Sequence, residues 1–305
     1  MYMSQLKDLI IVGAGPASYS ASIYASRYKL DHTIVGALPG GTITSAHRVC
    51  NYPAFEDISG NELMMKMREH AMNYGVEEVM DKVVSVDSSN EGNFCIKTER
   101  EKEFFSRSLL IATGTKRKKL GIPSEEKFEG KGISHCPTCD ASFYKDKVVA
   151  VVGGANAANM AAVYLSDVAK KVYMIYRGDE LRGDRMWVDE VLNNGGIELI
   201  FNANVVEFLG DETLKGVKLD KGDMELELEG VFLEIGSDPV LDFNLGVDLT
   251  DHGYIDVDEK QKTSLEGVYA SGDITSASNG FQQVIVACSE GAIAANSIYY
   301  WLKSS

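Results

Sequence analysis

Hydrophobic residues near the start of the chain come in short unbroken runs rather than in alternation. Asp8–Leu9–Ile10–Ile11–Val12 is one such run. A strand buried on both faces, as in a parallel sheet covered by helices, reads this way. The run ends directly in Gly13–Ala14–Gly15–Pro16–Ala17–Ser18. Tyr19 to Tyr28, rich in Ala and Ser, predicts a helix, and Thr33–Ile34–Val35 predicts the strand that closes a βαβ unit. The pattern returns about 140 residues later. Val148–Val152 is the strand, Gly153–Gly154–Ala155–Asn156–Ala157–Ala158 the turn, Asn159–Asp167 the helix and Val172–Tyr176 the next strand. Two such units imply two nucleotide-sized ligands, or one that has been lost.

Between the copies, Leu109 to Thr115 reads as a strand ending in a glycine turn, and the basic stretch Lys116–Lys119 as a linker. Later, Gly230–Ile235 runs into Gly236–Ser237–Asp238–Pro239, and Gly267–Val268–Tyr269–Ala270–Ser271 runs into Gly272–Asp273. Val284 to Leu302 predicts a long helix with an apolar content suited to packing. The predicted fold is α/β, with two Rossmann-like nucleotide-binding domains. The first is discontinuous, residues 1–116 with 246–305. The second, residues 117–245, is inserted into it.

The chain has 305 residues, long enough for two domains, and its 45% apolar and 25% charged content is that of a globular protein. A net charge of −15 repels phosphate backbones and argues against nucleic-acid partners. No apolar run approaches the ~18 residues that span a bilayer, and Met1–Lys7 lacks a signal-peptide pattern. The expectation is a cytoplasmic protein with no membrane partner.

Gly13 and Gly15 let the backbone turn tightly and approach a pyrophosphate, which the following helix, opening at Pro16 and Ala17, meets with its unpaired amides. The third small position is Ser18. An acid that binds the adenosine ribose is expected some twenty residues on, yet Gly36–Ala37–Leu38–Pro39–Gly40–Gly41 offers none.

Of five cysteines, Cys50, Cys95 and Cys288 stand alone and read as small, partly buried hydrophobes. Cys136–Pro137–Thr138–Cys139–Asp140 is different. A zinc site needs about four ligands, and no second CxxC or HxxxH exists. A structural pair of thiols is a second reading. A redox pair is the third, and the position just ahead of a nucleotide unit favours it, because electrons then arrive from a cofactor. A helix start would lower the pKa of one thiol, and Asp140 is placed to move a proton to or from a sulfur.

The order of these features resembles bacterial and archaeal thioredoxin reductases over essentially the whole chain. It runs from an N-terminal glycine turn through Ala112–Thr113–Gly114, CxxCD and a second glycine turn to a late Gly-Asp followed by Phe281–Gln282–Gln283. The resemblance implies an FAD flavoenzyme with a redox disulfide, a thioredoxin-like protein partner and a homodimer. It makes Cys139 the sulfur beside the flavin, Cys136 the sulfur that attacks the partner disulfide and Asp140 the acid. It gives FAD contacts to Gly13, Gly15, Pro16, Ala17, Thr113, Gly114, Gly272 and Asp273. Gly40, Gly41, Thr42 and Asn51 would line the flavin ring, Gln283 would stand beside it, and Val284 would also bind the cofactor.

The second turn departs from the family motif, Gly-Gly-Gly-x-Ser-Ala followed by His-Arg-Arg-x-x-x-Arg. Gly153, Gly154, Asn156 and Ala157 hold the turn, but Ala155 replaces the third Gly and Ala157 the Ser. Arg177 and Arg182 remain of the phosphate-binding cluster, while Tyr176 replaces His and Gly178 an Arg. NADPH, NADH and a reductant that reaches the flavin directly therefore all stand as donors, and a scaffold without a ligand stands beside them. Two further readings are a flavin redox sensor without turnover and a ferredoxin–NADP-type reductase, which would not need the CxxC.

Overall fold

The computed structural model describes residues 6–46, 48–88, 93–222, 224–277 and 281–304. The chain divides into two compact units, Met1–Lys116 with Asp238–Ser305, and Arg117–Ser237. The return to the first unit thus falls at 237–238, ahead of residue 246. The reason lies in the segment that follows: the Val240 N–H bonds the Gly114 carbonyl at 3.0 Å, and Phe243 and Val247 are buried in the core of the first unit.

In the first unit, strands Glu77–Val79, His32–Val35, Leu6–Val12, Glu103–Ile111 and Val268–Ala270 lie side by side in that order, all parallel. The order reverses between Leu6–Val12 and Glu103–Ile111, and the glycine turn that follows Val12 opens at this switch point, where such sheets bind nucleotides. An antiparallel hairpin, Val83–Ser88 with Phe94–Thr98, extends the sheet from the first half of Glu103–Ile111. The unbroken run has its cause here. Ile10 and Val12 pack into one core cluster, Leu9 and Ile11 into another on the opposite face, and all four are buried.

The Pro16–Arg27 helix starts three residues earlier than its Tyr19 expectation, since Pro16 at the first helical position costs no hydrogen bond. It packs along the C-terminal helix Val284–Ser304. The helices approach closely because Gly291 has no side chain: a methyl there would lie 2.2 Å from the Ala17 carbonyl oxygen. Gly291→Ala is expected to cost about 1–3 kcal/mol by overpacking, read as a shift in the denaturation midpoint. An unshifted midpoint would show that the two helices are free to part.

In the second unit the parallel order is Ile197–Phe201, Lys171–Tyr176, Val148–Val152, Gly230–Leu233, Ile133–Ser134. Val149 and Val151 face the Asn156–Ser166 helix, in a cluster with Ala158, Ala162 and Leu165. Ala150 and Val152 face the other way, toward an antiparallel meander of Val205–Gly210, Leu214–Leu219 and Glu225–Glu227. Lys116 and Arg117, in the basic stretch expected to be a linker, lie in a short strand, Thr115–Arg117.

Candidate active site

The first unit gathers one set of expected residues at the C-terminal ends of its strands. Gly13 takes a positive φ of 123°, and a methyl there would lie 2.1 Å from the Ala112 carbonyl oxygen, so only glycine fits. Gly15 is different. Its φ is −98°, and nothing lies within 4 Å of a methyl placed on it. The open space in front of Gly15, at the start of a twelve-residue helix, is what a pyrophosphate needs. Gly40 folds back onto the turn, its N–H on the Ala14 carbonyl at 2.6 Å, and a methyl on Gly41 would stand 3.5 Å from the Gly15 Cα. Thr42 opens a short 3₁₀ turn, Thr42–Ser45. Asn51 donates from Nδ2 to Gln283 Oε1 at 2.8 Å, which ties that loop to the start of the C-terminal helix beside Val284. The Thr113 hydroxyl donates to the Val240 carbonyl, and Gly114 takes a positive φ of 66°.

The missing ribose acid has a steric explanation. A methyl on Gly36 would lie 2.7 Å from both Ala14 N and Ala14 Cβ, so the residue just past the second strand carries no side chain.

Gly272 and Asp273 follow the Val268–Ala270 strand. The Gly272 N–H donates to Glu290 Oε2 at 2.7 Å, and Glu290 is 5% exposed. Sequence reasoning missed Glu290. Its only signal was an acid among Ala, Ile and Gly on a helix face otherwise suited to burial. Burial first, and the nearby Glu290 carboxylate second, push the Asp273 carboxyl up to about 6. Its ordinary value is about 4, so between about pH 4 and 6 the folded chain holds a proton that the unfolded chain has released. That contribution to stability is present below this window and is lost as the pH rises through it. In the flavin-free protein, wild type is therefore expected to lose stability relative to Asp273→Asn between pH 4.5 and 7. A stability difference that does not change with pH would refute the shift.

The second unit holds the sulfurs. Cys136 and Cys139 are joined in a disulfide at the head of the one-turn helix Pro137–Asp140. Cys136 caps that turn, with Cys139 N–H on its Sγ at 3.2 Å. Cys136 is half-buried and Cys139 is exposed. Ser134 links the pair to the acid: its Oγ accepts from Cys136 N–H at 3.0 Å and donates to Asp140 Oδ2 at 2.7 Å. Ser134 too was missed, because a lone Ser ahead of a CxxC carries no pattern. Among the described residues no group of three or more His, Cys, Asp or Glu side chains is placed to hold a metal. The Cys288 thiol is buried against the Pro16 carbonyl, and burial pushes it up to about 11. Such a thiol is unreactive.

Gly153, Gly154, Asn156 and Ala157 form the second turn and the start of its helix, with Arg177 and Arg182 in the loop past Tyr176. Gly153 repeats the constraint of Gly13, since a methyl there would lie 2.2 Å from the Glu234 carbonyl oxygen.

The family profile of the pyridine nucleotide-disulphide oxidoreductases matches residues 7–291. The thioredoxin reductase of Mycoplasma genitalium is 38% identical, over 94% of this chain and 92% of its own. Among solved structures, the thioredoxin reductase of Lactococcus lactis aligns with a TM-score of 0.93 at 31% identity, covering 98% of this chain and 100% of its own. That of T. acidophilum aligns with a TM-score of 0.91 at 36% identity, covering 98% and 99%. The chain belongs to the pyridine nucleotide-disulphide oxidoreductase family, among its low-molecular-weight thioredoxin reductases. It is an oxidoreductase, and the family implies a flavin.

Proposed function

We propose that the protein is a thioredoxin reductase that carries FAD in its first unit and passes electron pairs to the disulfide of a thioredoxin-like protein through Cys136 and Cys139. The observation that carries the reading is the disulfide seated on Ser134 and Asp140 in a chain whose other unit presents an open nucleotide turn at Gly15.

The residues fit the cofactor. Gly13, Gly15, Pro16 and Ala17 would hold its pyrophosphate, Thr113, Gly114, Gly272 and Asp273 its middle, and Gly40, Gly41, Thr42, Asn51, Gln283 and Val284 its ring. FAD, when bound, would supply a two-electron store for the disulfide. The remaining steps belong to the chain. Two electrons and two protons open Cys136–Cys139 to a dithiol. The Cys136 thiolate attacks the partner disulfide, forms a mixed disulfide and releases one partner thiolate. Cys139 then attacks Cys136 Sγ, which releases the second partner thiolate and restores the internal disulfide. Asp140, held by the Ser134 hydroxyl, gives a proton to a departing sulfur or takes one from an attacking sulfur. The working form is a homodimer in the cytoplasm, as the family resemblance suggests.

The test is anaerobic. Flavin-loaded protein is photoreduced and mixed with a bacterial thioredoxin in the dark. Thioredoxin thiols are expected to appear as the yellow colour returns. A flavin that stays bleached, with thioredoxin unchanged, would reject the reading in favour of a redox sensor.

A further inference from the structure

The two glycine turns are built on one register. Gly13 N–H bonds the Val35 carbonyl at 2.8 Å, and Gly153 N–H bonds the Ile175 carbonyl at 3.0 Å. Gly36 and Tyr176 therefore occupy equivalent places, one residue farther along, against Ala14 and Gly154. In the first turn the side chain belongs to the turn, on Ala14, and position 36 is bare. In the second the arrangement is inverted. Position 154 is bare, and a methyl on it would lie 2.5 Å from Cγ and Cδ1 of Tyr176.

The same ring covers Gly178. A methyl there would lie 2.5 Å from Tyr176 Cε1 and 2.9 Å from Cζ. No side chain fits at position 178 while the ring lies in this place. The family motif has His at 176 and Arg at 178, so the two departures are one change: the tyrosine ring stands where the arginine stem would rise. What is left of the cluster is weakened too. Arg177 and Arg182 are exposed, and exposed Asp179 and Glu180 lie between them. Ala155 carries a methyl at the turn position where the first unit has the bare Gly15. The Arg182 main chain is fixed to the turn, by its N–H on the Gly154 carbonyl at 2.6 Å and by Asn159 Nδ2 on its own carbonyl at 2.8 Å.

We infer that Tyr176 is a specificity-determining residue: it excludes a phosphate-binding side chain at position 178, so that NADPH is no better than NADH as a reductant of this protein. The inference rests on the flavin–dithiol reading above. An arginine fork on a phosphate strengthens binding roughly tenfold or more, and a dinucleotide without the 2′-phosphate does not use it.

The experiment compares two probes by calorimetry, adenosine 2′,5′-bisphosphate and adenosine 5′-monophosphate, and in parallel the anaerobic bleaching rates with NADPH and NADH. Wild type is expected to favour the phosphorylated probe and NADPH by less than about threefold. Tyr176→His/Gly178→Arg is expected to raise both ratios about tenfold or more, and Gly178→Arg alone to raise them far less, because the ring blocks its stem. A wild-type preference for the phosphorylated forms of tenfold or more would overturn the inference. So would a gain from Gly178→Arg alone that equals the double variant. If the double variant does not fold, the wild-type ratios decide. Photoreduced wild type is mixed with thioredoxin in the same series. Failure there rejects the thioredoxin reductase reading and leaves the probe ratios readable.

Discussion

A Cys136→Ser chain is expected to lose thioredoxin reduction by about 10³-fold or more, while its flavin still bleaches with a chemical reductant. The size of the loss follows from the chemistry. A serine hydroxyl neither forms the mixed disulfide nor carries the electron pair, and a lone Cys139 thiol has no partner sulfur to resolve a mixed disulfide. Cys288 is buried, with its thiol pushed up to about 11. Burial raises the Cys95 thiol as well, and Cys95 lies on the Phe94–Thr98 strand of the first unit. Cys95→Ser is accordingly expected to change turnover by no more than about twofold. Steady-state reduction of thioredoxin by the two variants checks both statements. Retained turnover in Cys136→Ser would mean that electrons leave the flavin by another route.

The second large effect is expected at Gly15, where stability and cofactor binding separate. Nothing lies within 4 Å of a methyl placed on Gly15, and its φ of −98° suits any residue. Gly15→Val should therefore leave the flavin-free protein as stable as wild type to within about 0.5 kcal/mol. Its side chain fills the space assigned to the pyrophosphate, so flavin affinity should fall about tenfold to a hundredfold, as overpacking by ~1–3 kcal/mol implies. Gly13 is the contrast. With a φ of 123° and the Ala112 carbonyl oxygen 2.1 Å from where its methyl would lie, Gly13→Ala should cost about 2–4 kcal/mol of folding stability before any ligand is considered. Thermal unfolding without flavin, with fluorescence titration of FAD, measures both. Wild-type affinity in Gly15→Val would place the cofactor elsewhere.

The parts of this molecule that could be read from its sequence are those fixed by backbone geometry. Gly13 and Gly153 have to be glycine because a carbonyl oxygen occupies the Cβ position, and such a constraint leaves a short contiguous motif. The double-sided burial of Leu9–Val12 likewise leaves an unbroken run. What stayed hidden depends on contacts distant in sequence. Glu290 reaches Gly272 across eighteen positions, and no local pattern marks it. Ser134 acts through hydrogen bonds to residues whose own role has first to be known. The absent ribose acid looked like a loss, but Gly36 is bare because it is pressed against Ala14. The substitutions at 176 and 178 looked like two independent departures, and only the position of the ring shows them to be coupled. The antiparallel pair Val83–Ser88 with Phe94–Thr98, and the strands Val205–Gly210, Leu214–Leu219 and Glu225–Glu227, leave no clear pattern in the sequence. Their strands are short, with irregular burial, and period-2 alternation is weak over so few residues.

An anaerobic reductive titration of the flavin-loaded protein tests the central claim most directly, because it counts electrons without reference to any partner or natural donor. The account predicts uptake of two electron pairs per chain, one by the flavin and one by Cys136–Cys139, and a single pair in Cys136→Ser. Uptake of one pair by the wild-type chain, with the disulfide intact after full bleaching, would contradict it.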